Sequence, residues 1–175
     1  MPILPYQDNS NTTIYGNNIT ATSPGSTGCG TTGTFLAGND VVYAYTPLVT
    51  GFLNIKLNPL GATNTGLFVY SSCANVGNSC IGGVGNANAN IREIPSLPVT
   101  AGNTIYILLS STAATPTYPY TLTIQEANCT PPLLSSLHAD TFGTTSGTLD
   151  WSNGTGSTAA SWQVAVQPFG ALIPA

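Results

Sequence analysis

Apolar and polar residues alternate along this chain in short runs with a period of two, the spacing that places one set of side chains in a core and the other in water. In "DVVYAYTP", Val41, Tyr43 and Tyr45 share one face and Val42 and Ala44 the other. "GFLNIKLNP" puts Leu53, Ile55 and Leu57 on one side and Asn54 and Lys56 on the opposite side. "TGLFVYSS", "NANIREIPSLPV", "NTIYILLSS" and "YPYTLTIQE" read as further strands, and "GTFLAGN" as a strand before them. The stretches between them, "NPLGATN", "VTAGN" and "STAATPTYP", are rich in the residues that build turns. Roughly seven strands between residues 30 and 126 suit a small β-sandwich, and no window carries a helical stripe. "GGVGNANAN" reads as a tightly turned or mobile loop running into the strand at Ile91.

Residues 128–133 contain Pro131 and Pro132, which are stiff and donate no backbone hydrogen bond, so they read as a linker. Alternation resumes in "LLSSLHADT", "SGTLDWSNG" and "ASWQVAVQPFG", with Leu149 and Trp151 on one face of their strand and Trp162, Val164 and Val166 on one face of the next. Three strands alone would leave a bare apolar face and an open edge. Three arrangements would cover them: a continuation of the domain past residue 175, packing on the first domain, or a strand donated by another chain.

Charge narrows the function. Two basic residues, Lys56 and Arg92, stand against six acidic ones, for a net charge of -4 over 175 residues. Nucleic acid needs clustered Lys and Arg, and an anionic membrane surface attracts the same residues, so neither is an expected partner. Only 5% of residues are charged, far below the roughly 25% of an ordinary soluble domain, and Ser, Thr, Asn and Gly take their place. With 42% apolar residues the chain is nevertheless expected to fold. A neutral amide and hydroxyl surface and an even number of cysteines fit an extracellular or cell-surface location. The opening "MPILPYQDNSNTT" has no basic and apolar signal-peptide pattern, and no run is long enough to span a bilayer, so membrane insertion is not expected and any targeting segment is expected outside this chain.

The stretch from "GNDVVYAYTPLVTGFLNIKL" through "TGLFVYSSCANVGNSCIGG" and "LPVTAGNTIYILLSS" to "YPYTLTIQEANC" resembles the bacterial pre-peptidase C-terminal domain, in the versions found in surface and secreted proteins of Bacteroidetes. The matching marks are Asp40, Val42, Tyr43, Tyr45, Gly51, Leu67 to Ser71, Cys73, Cys80, Ala101, Gly102, Ile105 to Leu109, Tyr120, Leu122 and Ile124. From Cys129 on, the chain is similar to the beginning of a fibronectin type III domain, with Trp151 as its early strand tryptophan. The resemblance implies an all-β chain: a jelly-roll-like β-sandwich over residues 15–127 after an extension at 1–14, the linker at 128–133, and a partial immunoglobulin-like sandwich at 134–175. It also implies a spacer or binding module beside a separate catalytic or adhesive part.

Candidate chemistry is sparse. His138, the single histidine, stands near Asp140 with no nucleophile nominated beside it, and reads as a strand-surface residue. No phosphate loop or dense calcium loop is written in the glycines and carboxylates. Asp40 in "AGND" is expected to accept turn N–H bonds, with calcium as the weaker reading and the one candidate cofactor. Tyr118, Tyr120, Tyr15 and Tyr70 are candidate contacts for a surface glycan or protein, against a simpler reading in which tyrosines pack in the core. Asn11, Asn18, Asn128 and Asn153 begin glycosylation sequons that matter only in a host that uses them.

Cys73 and Cys80 are too far apart for a zinc knuckle, and no basic neighbour marks a reactive thiol, so a disulfide is the reading that remains. Four cysteines allow three pairings; a local Cys73–Cys80 bridge is preferred and leaves Cys29 with Cys129. The expected function is a non-catalytic structural or adhesive module of an extracellular, cell-surface or filament-forming protein, with homo-oligomers or filaments formed through the C-terminal sandwich. The alternative is an accessory glycan- or protein-binding module of a larger secreted hydrolase.

Overall fold

The computed structural model describes residues 3–20, 29, 31, 34–127, 138–142 and 147–150. The chain divides into two compact units, residues 1–127 and 128–175. Among the described residues the first holds eight strands: β1 Tyr6–Asn11, β2 Val41–Tyr45, β3 Gly51–Asn58, β4 Thr65–Tyr70, β5 Cys80–Asn86, β6 Arg92–Val99, β7 Ile105–Ser111 and β8 Pro119–Glu126. They form two antiparallel four-stranded sheets packed as a sandwich, with orders β1-β8-β3-β6 and β2-β7-β4-β5.

Alternation built these strands as expected where one face is wet. On β3, Leu53, Ile55 and Leu57 enter the core, joined from β8 by Tyr120, Leu122 and Ile124. From the other sheet come Val41 and Tyr45, Leu67 and Val69, and Ile105, Ile107 and Leu109. Each fully buried aliphatic side chain contributes about 1.5–3 kcal/mol relative to exposure.

Three expectations are corrected. Residues 1–14 are not all extension: β1 pairs with β8 from Tyr6↔Ile124 to Asn11↔Pro119. Its sequence, YQDNSN, carries one apolar residue, so alternation gave no signal, yet an edge strand needs only a backbone ladder and a few inward groups. "GTFLAGN" is not a strand in its described residues, 34–39; Phe35 and Leu36 are both buried, and consecutive residues cannot share one face of a strand. The first half of "GGVGNANAN" is not a loop, because Gly82 to Asn86 belong to β5.

The glycines of β5 serve close packing. A Cβ on Gly83 would lie 2.5 Å from Cys29 Cβ and 2.6 Å from Phe68, and one on Gly85 would lie 2.4 Å from Phe35. Without those side chains, Cys29 and Phe35 can lie against the outer face of the β2-β7-β4-β5 sheet. There Cys29, Phe35 and Leu36 pack on Phe68, Tyr70 and Leu108 as a second apolar cluster.

At the far end of the sandwich Arg92, 1% exposed, holds the β5–β6 turn with all its donors. Nε donates to Thr65 O at 2.9 Å, Nη1 to Asn88 Oδ1 at 3.0 Å and to Asn90 O, and Nη2 to Asn86 O at 3.0 Å and to Asn88 O. Burial lowers its pKa, and carbonyl oxygens, rather than a carboxylate, stabilise the charge.

In the second unit, β9 His138–Phe142 and β10 Gly147–Asp150 pair antiparallel, with a register shift between Thr148 and Leu149. Thr148 and Asp150 are exposed. The expectations for Trp151, Trp162, Val164, Val166, Cys129 and the 128–133 linker lie outside the described residues.

Candidate functional site

The cysteines join differently from the preferred pairing. Cys29 is bonded to Cys80, with Cα atoms 6.0 Å apart and a sequence separation of 51, so the Cys73–Cys80 and Cys29–Cys129 pairings are both corrected. Cys80 opens β5 opposite Tyr70, and its partner comes from the covering segment rather than from its own loop. Cys73 lies in a short 3-10 turn, Cys73–Asn75, that carries it away from the sheet; its thiol is free and exposed. The bridge pins the covering segment to the strand whose glycines admit it. For a loop of that length the chain-entropy effect is about 4 kcal/mol.

Asp40 holds the same segment from its other side. Its carboxylate, 5% exposed, accepts backbone N–H bonds from Asn18 at 2.9 Å and Ile19 at 2.7 Å through Oδ2, while its own N–H donates to Gly16 O at 3.0 Å. These partners are 21 to 22 positions away, so the residue ties two remote stretches together rather than shaping its own turn. Burial raises its pKa; the Ser110 hydroxyl and the two backbone donors oppose that shift. Ser110 Oγ and Asp40 Oδ1 meet no partner in hydrogen-bond geometry, though the hydroxyl is near enough to favour the charged form. Two N–H groups aimed at Oδ2 suit an anion's surroundings and work against a cation there. Among the described residues no three His, Cys, Asp or Glu side chains gather as a metal site.

The tyrosines chosen as ligand contacts turn inward. Tyr118 is 2% exposed and Tyr120 and Tyr70 are 0%, so none of the three presents a ring to a partner; Tyr15, at 41%, does. Tyr118 donates to Ser110 O at 3.2 Å. Burial pushes the Tyr70 phenol up to about 12. Tyr120 belongs to a link between the sheets: Tyr43 on β2 donates to Asp8 Oδ2 on β1 at 2.6 Å, and the Tyr43 and Tyr120 hydroxyls are 2.5 Å apart. A carboxylate only accepts, so the proton order runs from Tyr120 to Tyr43 to Asp8. Burial, then the bond to Asp8, raises the Tyr43 pKa well above its ordinary value. The core reading holds for Tyr120, and the ligand reading of Tyr70, Tyr118 and Tyr120 is withdrawn.

An open cleft of about 470 Å³ lies at the end of the sandwich where β4 ends and β7 begins. Ile81 and Pro98 are its exposed apolar lining residues, and Ser72, Asn103 and Tyr106 carry hydroxyl and amide groups. Cys73 stands at its rim. The β6–β7 turn is fixed by Gly102 N–H to Pro47 O at 2.9 Å and Ala101 N–H to Thr50 Oγ1 at 3.0 Å. The side chains of Ser72, Asn103 and Tyr106 make no hydrogen bond with other described residues. The sequence reading passed over Ser72 and Asn103 and counted Tyr106 with the core, because Ser72 meets the other two only when segments remote in sequence come together. The available signal was Tyr106 itself, out of phase with the core residues Ile105 and Ile107.

No family model matches the chain. No curated protein matches it either. Among solved structures, the chain is similar to the crystal structure of Aeromonas hydrophila PliG, a periplasmic lysozyme inhibitor of g-type lysozyme, at 15% identity over 51% of this chain and 76% of that one, with a TM-score of 0.38. A likeness at that score carries no argument about fold or function.

Proposed function

We propose that this chain is a non-catalytic structural or adhesive module of an extracellular, cell-surface or filament-forming protein, built as a jelly-roll-like sandwich of the pre-peptidase C-terminal type followed by a fibronectin type III-like unit. The jelly-roll reading is supported by the pairs β1–β8, β2–β7, β3–β6 and β4–β5, the order obtained when a long antiparallel ribbon wraps into two sheets. The observation that carries the functional reading is the Cys29–Cys80 clasp across an otherwise uncovered apolar sheet face, a device that persists where thiols oxidise. Low charge and a surface of amides and hydroxyls agree with that location.

An adhesive role is favoured over an in-line spacer. Tyr6 pairs with Ile124, so the residues before β1 and after β8 leave from the same end of one sheet. Tension applied there peels the β1–β8 ladder one pair at a time instead of shearing it, a poor arrangement for carrying load and a natural one for a module mounted at its base. Completion of the C-terminal unit by a neighbouring chain's strand is the filament form of the same proposal. The cleft favours a second reading, an accessory ligand-binding module of a secreted hydrolase.

Alkylation of intact cells with a membrane-impermeant maleimide, followed by protease shaving and peptide mapping, tests the main reading. Cleavage outside the cell and an intact Cys29–Cys80 bridge are expected. A protein that is protected by the cell envelope and fully reduced would overturn it. For the filament form, sedimentation of the full chain at rising concentration is expected to show assembly, and a strict monomer throughout counts against it.

A further inference from the structure

Every side chain that lines the cleft at the β4–β7 end is uncharged. An ionic ligand finds no counter-charge there, and the net charge of -4 repels polyanions. A peptide is usually held by unpaired backbone groups along a strand edge. Here β5 and β6, which carry Ile81 and Pro98, are edge strands of their sheets, but Pro98 has no N–H to offer and the turn donors are spent, Gly102 on Pro47 and Asn103 on Thr100; a short peptide is therefore the competing occupant that the test includes. What remains is the exposed apolar surface of Ile81 and Pro98 together with the uncommitted polar side chains of Ser72, Asn103 and Tyr106. That combination matches a ligand with one apolar C–H face and a rim of hydroxyls. A volume of about 470 Å³ is within the range of small-molecule sites.

We propose that this cleft binds one neutral sugar unit of a surface polysaccharide, with the ring against Ile81 and Pro98 and its hydroxyls bonded to Ser72, Asn103 and Tyr106. The inference deepens the adhesive reading and rests on it. Cys73, exposed at the rim, is a built-in reporter, because an occupied cleft shields its thiol.

The test follows iodoacetamide alkylation of Cys73 in the purified full chain, with glucose, N-acetylglucosamine, glucuronate or trialanine as probes at millimolar concentration. At least one neutral sugar is expected to slow alkylation, and the charged glucuronate is not. Tyr106→Phe and Asn103→Ala are each expected to weaken that protection about fivefold to tenfold, the effect of one lost hydrogen bond. Asn9→Ala, on the opposite sheet, is expected to leave it unchanged. Protection by trialanine alone, protection by no neutral sugar, or protection insensitive to Tyr106→Phe and Asn103→Ala overturns the proposal. Circular dichroism of each variant separates loss of binding from loss of fold. Failure here leaves the extracellular reading standing if the cell-shaving experiment succeeds, so the two are separately decided.

Discussion

The two sheets of the sandwich share one core but treat their outer faces in opposite ways. On the β1-β8-β3-β6 sheet, Gln7, Thr123, Lys56 and Glu93 form one cross-strand row and Asn9, Thr121 and Asn58 the next, all at least partly open to water. Thr121 Oγ1 donates to Asn9 Oδ1 at 2.7 Å, and Lys56 pairs with Glu93 at 3.1 Å. On the β2-β7-β4-β5 sheet the same positions hold Leu108, Phe68 and Tyr70, and Cys29, Phe35 and Leu36 from between β1 and β2 cover them. A polar face is satisfied by water and asks for nothing more. An apolar face requires a cover, and the cover requires anchors, here the disulfide on one side and Asp40 on the other.

Substitutions that separate the two faces should differ widely in cost. Phe68→Ala removes the ring on which Phe35 rests, their centroids 6.4 Å apart, and is expected to lose about 3–5 kcal/mol in urea unfolding. Cys29→Ser with Cys80→Ser releases the cover and is expected to lose about 2–4 kcal/mol by the same measurement, with no further loss on adding reductant. If the double variant matches the parent, the clasp is not what holds the cover.

Asp40→Ala leaves the Asn18 and Ile19 N–H groups without their acceptor and is expected to lose about 1–3 kcal/mol, with faster hydrogen exchange at both amides. The pH dependence has a definite sign. Because burial raises the folded-state pKa of Asp40 above its unfolded value, this group favours the folded state most when protonated, and that contribution falls as pH rises from the unfolded pKa through the raised one. Asp40→Asn keeps an accepting oxygen and removes the titration, so its unfolding midpoint should vary less with pH across that interval; an unchanged slope would break the argument. At the small end, Thr123→Val on the bare face should stay within about 0.5 kcal/mol of the parent. A loss as large as that of Phe68→Ala would mean the two faces are not different in kind.

Much of this was written in local pattern. The alternation in "DVVYAYTP" and "GFLNIKLNP" marks β2 and β3 because each strand has one wet face. β4 and β7 carried a further sign: Leu67, Phe68, Val69 and Tyr70 are all apolar or aromatic, and so are Ile107, Leu108 and Leu109, the mark of strands buried on both faces. β1 left no comparable trace, since a polar edge strand is held by its ladder with β8 and by the bond between Asp8 and Tyr43. β5 misled for the opposite reason. Glycine in isolation favours turns, but Gly83 and Gly85 are strand residues whose missing Cβ atoms admit Cys29 and Phe35.

By itself, then, the sequence determined the all-β class and most core strands, because those follow from backbone periodicity and water's exclusion of apolar groups; that Tyr70, Tyr118 and Tyr120 turn inward emerged only in the fold. The tertiary structure decided the rest: which cysteine meets Cys80, which remote amides Asp40 accepts, and which turns enclose the cleft beside Cys73. Each of these depends on segments far apart in the chain meeting in space, and a residue's chemistry does not specify which remote partner the wrapping of the sheets will bring to it.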